Sequence, residues 1–496
     1  MEPAILLAFD IGTSSVKTSM ISAAGERVDA QSEAYPTRYA AGGVAEQDPA
    51  DWWGCVCRTT RALLDRDPTR RGRVVGIGVC GHMLGCVPVD QSGAALHPCL
   101  IHADARAKAQ YEAVDRAVGA ERLYRMSGNI LDARSSLCKQ LWVKEALPDL
   151  YARTAKFLQC KDYITARLTG EIDTTDYSDA SHGQLMDIQR RAYDPALYQE
   201  LGLSMDKLPA LHRGDQVVGH LREEAAKALG LPAGIPVIAG GGDGACGNVG
   251  AGAVAPGDSY LSLGTTAWIA QAVREPVFDP QRRLFNIMSL DGETCSLLGT
   301  TQAAGASINW VRRLLQLDLE TLNRMAAQVE PGCEGLVFLP YLDGERTPVF
   351  DAEASGAFVG LRQKHGSAHM ARAVLEGIAF ALGQIADTLR QFTALKDLSA
   401  IGGGMNSQLL AGMVADVTRL RLHRLLVPAE DATSLGVAAA AGVGAGVFAS
   451  LREATAGIQA VSTVEPGPTD WRYARNYSVY QGLYAQLALS MHRLVR

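Results

Sequence analysis

Phe9-Asp10-Ile11-Gly12-Thr13-Ser14-Ser15-Val16-Lys17 lies between two apolar alternating segments, Ile5 to Asp10 and Val16 to Ile21, and reads as a β-hairpin with a Gly-Thr-Ser tip. Halfway along the chain, Leu261-Ser262-Leu263-Gly264-Thr265-Thr266-Ala267-Trp268-Ile269 repeats the design without the acid. Two halves that open on the same hairpin predict a duplicated fold. A tight tip of this kind points backbone N–H groups and hydroxyls into one concavity, a shape that binds phosphate oxygens. Tips from two halves, Gly12, Thr13 and Ser14 with Gly264, Thr265 and Thr266, could hold one polyphosphate between them. Asp10, just before the first tip, is placed to hold Mg²⁺ through water, because magnesium dehydrates reluctantly. Lys17 either neutralises phosphate charge or is a solvated strand residue.

Around these hairpins, β-branched strand-like runs alternate with helical patterns throughout, which marks an α/β protein. A helix is expected from about Ala368 to Phe392, where Ala371, Val374, Leu375, Ile378, Leu382, Ile385 and Leu389 recur at helical spacing. At 496 residues the chain is too long for one core, so two domains are expected, and the hairpin repeat divides them into 1–246 and 247–496. A net charge of −6 and a pI near 6.0, with Lys and Arg scattered, exclude a nucleic-acid or acidic-membrane surface. The ten cysteines are dispersed without a C-x-x-C pair, as reduced thiols are. Met1-Glu2-Pro3 lacks the basic region of a secretory leader, and Leu435 to Ala449 is too short to span a bilayer and reads as a close-packed core helix. A soluble, cytoplasmic protein is the expectation.

Chemistry points to two glycine-rich turns. Gly240-Gly241-Gly242-Asp243-Gly244 follows the buried strand-like run Pro236 to Ala239, and a carboxylate at a strand end, on backbone that can come close to a ligand, suits a general base. The plain alternative is that Asp243 N-caps a helix beginning near Ala245. Gly402-Gly403-Gly404-Met405-Asn406 follows the strand-like Leu398 to Ile401, and bare glycines there would let a flat ring lie on the backbone as a base and ribose shelf. Its alternative is a strand-to-helix turn capped by Asn406 or Ser407. No Gly-Lys pair of a P-loop occurs, and the dinucleotide glycine pattern at Gly76, Gly78, Gly81 falls inside a strand-like run.

These pieces together resemble the FGGY carbohydrate kinases, over nearly the whole chain, and within that family its ketopentose kinases. The most specific match runs from Gly356-Ala357-Phe358-Val359-Gly360-Leu361 through His369-Met370 to Ala373-Val374-Leu375-Glu376, and Phe338 to Pro348, with Asp343-Gly344-Glu345-Arg346-Thr347-Pro348, is similarly typical. The resemblance implies two actin-like ATPase (ribonuclease H-like) domains built on five-stranded sheets, with sugar and ATP meeting in a central cleft. It implies Asp243 as the base that takes the proton of the attacking hydroxyl, and Asp10 with Asp243 at the magnesium. By the same resemblance Gly12, Thr13, Gly264 and Thr265 line the phosphates, Gly403, Gly404 and Asn406 lie by the adenosine, and a homodimer is common. An ordinary ionised Asp suffices as base, since phosphoryl transfer asks mainly for alignment and charge neutralisation.

Substrate choice is where the chain departs from the pattern. The family's Gln-Met-His-Gly stands here as His82-Met83-Leu84-Gly85, and its Trp-Asn-Asp-Gly-Arg as His102-Ala103-Asp104-Ala105-Arg106. Asp104 is a candidate acceptor for a sugar hydroxyl, and His82 and His102 are either ligands or satisfied core histidines. Lys139 and Trp142 match the N-terminal signature, but Arg134 and Gln140 do not. A sugar-facing Arg134 could pair with a carboxylate and would favour gluconate over a ketopentose such as D-xylulose; alternatively it pairs with Asp132 on the surface. A reading of another class, an actin- or Hsp70-like ATP switch, would share the hairpins but lack the Asp243 loop and the C-terminal signature.

Overall fold

The computed structural model describes residues 3–495, so Met1 and Glu2, where the leader argument begins, lie outside the described residues. Both hairpins form as expected. Ile5–Ile11 pairs antiparallel with Ser15–Ser22, setting Asp10 opposite Lys17, and Ser259–Leu263 pairs with Ala267–Val273 in the same manner. Each hairpin continues into a third antiparallel strand, Arg27–Ala34 in the first half and Cys295–Thr301 in the second. On its other side each first strand pairs parallel with a later one, Val74–Gly81 or Asp397–Ile401, followed by Pro236–Ile238 or Arg421–Leu425. Two sheets with one strand order are the duplication that the repeated hairpin implies.

Each sheet has seven strands where five were expected. The additions are edges and one short pairing: Val217–His220 and the two-residue Gly241–Gly242 in the first sheet, Phe285–Met288 and Ala460–Val464 in the second. Ala460–Val464 is almost wholly exposed, so it carries no apolar alternation by which a strand is read from sequence. The long helix runs Ser367–Arg390, with its expected apolar stripe and most of its other side chains buried in the second core. Trp52 is fully buried in the first core, its indole N–H donating to Gln47 Oε1 at 3.1 Å.

The apolar stretch near the end forms helix Ala429–Gly444, beginning earlier than Leu435 because its first turn carries Glu430 and Asp431. It belongs to the second half by sequence, yet Val437, Ala438, Ala440 and Ala441 pack into a core with Leu6, Ala8, Cys80 and Ile238 of the first sheet. Gly76 and Gly78 lie inside the first sheet under this helix, not at a nucleotide turn. It also crosses helix Asp243–Gly250 so closely that a Cβ on Gly436 would stand 1.9 Å from the Cys246 carbonyl oxygen. Polar ties accompany the packing. Asp431, 2% exposed, accepts Lys17 Nζ and, at 2.5 Å, Arg27 Nη1, while Thr433 Oγ1 donates to Asp10 Oδ2 at 2.5 Å.

No helix among the described residues is long and apolar enough to cross a membrane, and all ten cysteines are unpaired. Gly436→Ala should lower the unfolding free energy by about 1–3 kcal/mol, because an added methyl has to push two backbones apart. Chemical denaturation followed by circular dichroism checks this, and an unchanged midpoint would show that the crossing tolerates a side chain.

Candidate active site

Three parallel strand ends bring the acidic residues together. Asp10 pairs with Cys80 across the ladder and Ile11 with Gly81, while Gly241 and Gly242 pair with Cys80 and Gly81 from the other side. Asp10, His82 and Asp243 therefore leave one edge of one sheet, at its carboxyl ends, where ligands of open α/β sheets bind. Asp243 is the first residue of helix Asp243–Gly250, whose cap position is Gly242, and no side chain caps the helix. The capping alternative is thus not what the structure shows. Asp243 Oδ1 accepts the N–H of the adjacent Gly244, at 2.7 Å, and the Ser178 hydroxyl accepts the Gly242 N–H at 2.9 Å, which fixes the backbone leading to it. Burial first, and the neighbouring Asp10 charge second, push the Asp243 carboxyl up to about 7. Burial likewise pushes Asp10 upward, against the Thr433 and Cys80 hydrogen bonds and the charge of Lys17.

The hairpin tips are built alike. In the first, the carbonyls of Gly12, Thr13 and Ser14 accept from Tyr35 OH, from Gln47 Nε2 at 2.7 Å and from Tyr35 N–H at 3.2 Å. In the second, the Gly264 carbonyl accepts the Gly305 N–H at 2.9 Å and the Thr265 carbonyl accepts those of Ala304 and Ala306 at 3.1 Å. Because a trans peptide sets N–H opposite C=O, capturing the carbonyls on one side turns the tip amides the other way. Thr13, Ser14 and Thr265 are exposed, with Thr266 half-buried. Lys17, beyond the first tip, is committed to Asp431 and to the Glu430 carbonyl at 2.7 Å.

The third turn abuts the second tip, because Ser262 pairs with Ile401. A Cβ on Gly402 would meet the Leu263 carbonyl oxygen at 2.4 Å and one on Gly404 would meet a Leu263 methyl at 1.6 Å, whereas nothing stands within 4 Å of one on Gly403. Only the middle glycine faces open space. Asn406 is exposed and its Oδ1 accepts Arg424 Nη2 at 2.7 Å, and Ser407 caps helix Gln408–Thr418, accepting the Leu410 N–H at 3.2 Å. The capped turn is therefore present, with Ser407 as its cap, and beside it Gly403 is bare.

The residues expected to face a sugar divide. Met83 packs on the Gly242 backbone beside Asp243, and Leu84 adopts a left-handed φ of 61°, a strained choice for a branched residue. The Leu84 carbonyl is held by Lys139 Nζ at 2.6 Å, which also bonds the Ile101 carbonyl at 2.7 Å, so Lys139 ties the His82 and His102 loops together. Asp104 is not brought to the open surface. It is fully buried and accepts the Ala45 N–H at 2.7 Å and Arg106 Nη2 at 2.6 Å. Arg134 makes a two-point pair with Asp132, with Nε to Oδ1 at 2.9 Å, and the two side chains keep 42% and 40% of their surface.

The loop from Leu425 through Pro428 and Asp431 is expected from sequence to line the cleft, but the contacts of Asp431 with Lys17 and of Thr433 with Asp10 were missed, as were His182 and Arg346 near His102 and Arg134. Arg346 lies in a quoted motif, but no local pattern tells where a side chain points across more than two hundred residues. The buried His82 ring makes no well-formed hydrogen bond among the described residues, and burial pushes it down to about 3, aided by His102 and Lys139. Burial lowers His102 to about 4, helped by Lys139, Arg346 and Arg134, and His182 to about 4, helped by Arg346. All three rings are neutral at neutral pH.

A duplicated α/β fold with two amide-bearing hairpins and an acidic pair at one sheet edge defines a two-domain phosphotransferase of the actin-like ATPase class. The chain matches family models described as the FGGY family of carbohydrate kinases, N-terminal domain, over residues 5–250 and C-terminal domain over 259–445. It belongs to the FGGY family of carbohydrate kinases and is an ATP-dependent sugar kinase. The xylulose kinase of Escherichia coli is 33% identical over 84% of this chain and 85% of its own. A xylulose kinase structure from Rhodospirillum rubrum superposes with a TM-score of 0.91 at 29% identity, over 98% of this chain and 100% of that one. A gluconate kinase structure from Lactobacillus acidophilus superposes with a TM-score of 0.92 at 26% identity, over 99% and 100%.

The depressed histidines carry a testable sign. The unfolded chain binds a proton at His82 below about pH 6.5 and the folded chain does not until about 3, so stability present above 6.5 is lost as pH falls, at about 1.4 kcal/mol per unit. Denaturation at pH 7.0 and 5.5 should show that His82→Leu loses about 1 kcal/mol less than the unsubstituted protein on acidification. Equal losses would mean that His82 is already protonated in the folded state.

Proposed function

We propose that this kinase transfers the γ-phosphoryl group of ATP to a hydroxyl of a small sugar or sugar acid, with Asp243 as general base and Asp10 as its acidic neighbour. The observation that carries the reading is the convergence of Asp10 and Asp243 on one sheet edge, with Asp243 raised to about 7, where a base works best near neutral pH. Asp243 would accept the hydroxyl proton as the sugar oxygen bonds to the γ-phosphorus and the bond to the bridging oxygen breaks, releasing ADP. Thr13, Ser14, Thr265 and Thr266 would present amides and hydroxyls to the phosphates, and Gly403 with Asn406 would face the adenosine. Residues 1–246 would carry the sugar and the first hairpin, and 247–496 the nucleotide.

The donors suit Mg²⁺. Asp10 and Asp243 offer hard oxygens that repel each other, and no cluster of three ligands exists among the described residues, so an ion there would complete its shell from phosphates and water. When bound, Mg²⁺ neutralises phosphate charge. Ten unpaired thiols suit a reducing, cytoplasmic setting.

Two acceptor classes fit that hydroxyl: a ketopentose such as D-xylulose, favoured by the names of several relatives, and an aldonate such as gluconate, the acceptor in the name of the Lactobacillus acidophilus structure. Asp243→Asn should abolish sugar phosphorylation, read as ADP release with a panel of ketopentoses, polyols and aldonates, while ATP affinity by calorimetry changes less than about threefold. Substantial remaining transfer would refute the base assignment.

A further inference from the structure

Asp243 stands at the end of a stretch without side chains, Gly240-Gly241-Gly242, so nothing in the stretch itself locks its torsions. Gly240 lies in the left-handed region at φ 73°, and its N–H is tied to the Gly214 carbonyl at 2.9 Å. Packing closes around the next two: a Cβ on Gly241 would meet a Leu290 methyl at 2.2 Å, and one on Gly242 the Met83 side chain at 2.5 Å. Such contacts exclude volume but set no direction. Direction comes from the Gly242 N–H, one residue before the carboxylate, which donates to Ser178 Oγ at 2.9 Å.

Ser178 is fully buried in the short helix Tyr177–His182, and that helix is tied down at both ends. Asp176 caps it, Oδ2 accepting the Ser178 N–H at 2.7 Å and Oδ1 the Asp179 N–H at 3.3 Å. The same Oδ1 lies 3.1 Å from Lys161 Nζ, which also pairs with Asp162 and stands 3.5 Å from Asp179 Oδ2. Lys161 and Asp162 belong to helix Cys160–Thr169, whose Cys160, Ile164 and Leu168 pack into the first core. At the far end, Ser181 Oγ donates to the Ser178 carbonyl at 2.9 Å and accepts the Met288 N–H of the second half at 3.3 Å.

Four charged groups buried together are a poor source of stability, because their attraction barely returns the cost of leaving water and apolar replacements often do as well. One ammonium does not balance three carboxylates. Neither oxygen of Asp179 finds a hydrogen bond among the described residues, and burial pushes that carboxyl upward. What the cluster does supply is direction, carried from a core helix through Asp176 to the Ser178 hydroxyl and on to the peptide that bears Asp243.

We propose that Ser178 and Asp176 are positioning residues for phosphoryl transfer: the buried ionic cluster seats Ser178, whose hydroxyl sets the backbone that aims the Asp243 carboxylate at the acceptor hydroxyl. The proposal rests on the reading of Asp243 as base. Both residues are fully buried, so they act through Asp243 and not on a reactant.

Ser178→Ala and Asp176→Asn in the full chain test it, with ADP release measured on whichever of D-xylulose and D-gluconate is turned over faster. Ser178→Ala should lower kcat about 10- to 100-fold, as misplacing a reacting group does, while the KM values for ATP and acceptor stay within about threefold. Asp176→Asn should act in the same direction, less strongly. Thr60→Val, which removes a fully buried hydroxyl from helix Pro49–Arg66, should leave kcat within about twofold. Amide exchange at Gly242, resolved by electron-transfer fragmentation, should speed up at least about tenfold in Ser178→Ala while helix Ser367–Arg390 keeps its protection. An unchanged kcat, a KM that rises with the loss, a matching loss in Thr60→Val, or exchange that rises everywhere alike would overturn the proposal. Should Ser178→Ala fail to fold, the unsubstituted protein decides: Gly242 should exchange as slowly as strand Val74–Gly81, and rapid exchange there overturns it. Transfer surviving in Asp243→Asn would strike the base assignment and this proposal with it, whereas transfer lost there but kept in Ser178→Ala strikes this proposal alone.

Discussion

The seating of helix Ala429–Gly444 on the first sheet is the constraint on which the remaining architecture depends. A segment of the second half fills a groove in the first through small residues, and its opening turn places Asp431 between Lys17 and Arg27 and Thr433 on Asp10. A nearly buried carboxylate shared by two cations holds only while both sides stay docked, since parting them would strand the charges. The acidic edge and the loops after Arg421–Leu425 therefore behave as one body. The opposite rim, where Phe285 meets His182 and Phe350, joins the halves through aromatic edges, amide contacts and an exposed Arg213–Glu293 pair at 4.0 Å, with no buried carboxylate shared by two cations there among the described residues.

The features legible in sequence were those written in local pattern. Alternating apolar residues around a Gly-Thr tip specified both hairpins, and a glycine cluster after a buried run located the Asp243 strand end. The edge strands were not legible, because an exposed edge such as Ala460–Val464 has no buried face to impose alternation. Side-chain direction was the larger loss. Asp104 and Asp132 are each followed two residues later by an arginine, and in both the arginine's backbone N–H and guanidinium fold back onto the acid. Asp470 with Arg472 repeats the arrangement. An acid in that spacing satisfies its own loop, which is why Asp104 is spent inside the fold and Arg134 is only partly available.

The sugar-side wall gains its character from burial more than from composition. Three imidazoles that would be partly charged in water are held neutral, which leaves Lys139 and the Arg134–Asp132 pair among the charges beside them. At the Asp10 and Asp243 strand ends burial pushes both carboxyls upward, with the Asp10 charge adding to the effect on Asp243 and Lys17 drawn aside to Asp431.

The glycine triplet after Asp397–Ile401 separates two tasks that adjoin in the chain. A side chain on Gly402 would run into the Leu263 backbone and one on Gly404 into the Leu263 side chain, while Gly403 looks onto unfilled space. Variation at the middle position can therefore reshape whatever rests against that ledge while leaving the framework undisturbed, so ligand preference there is free to drift independently of foldability.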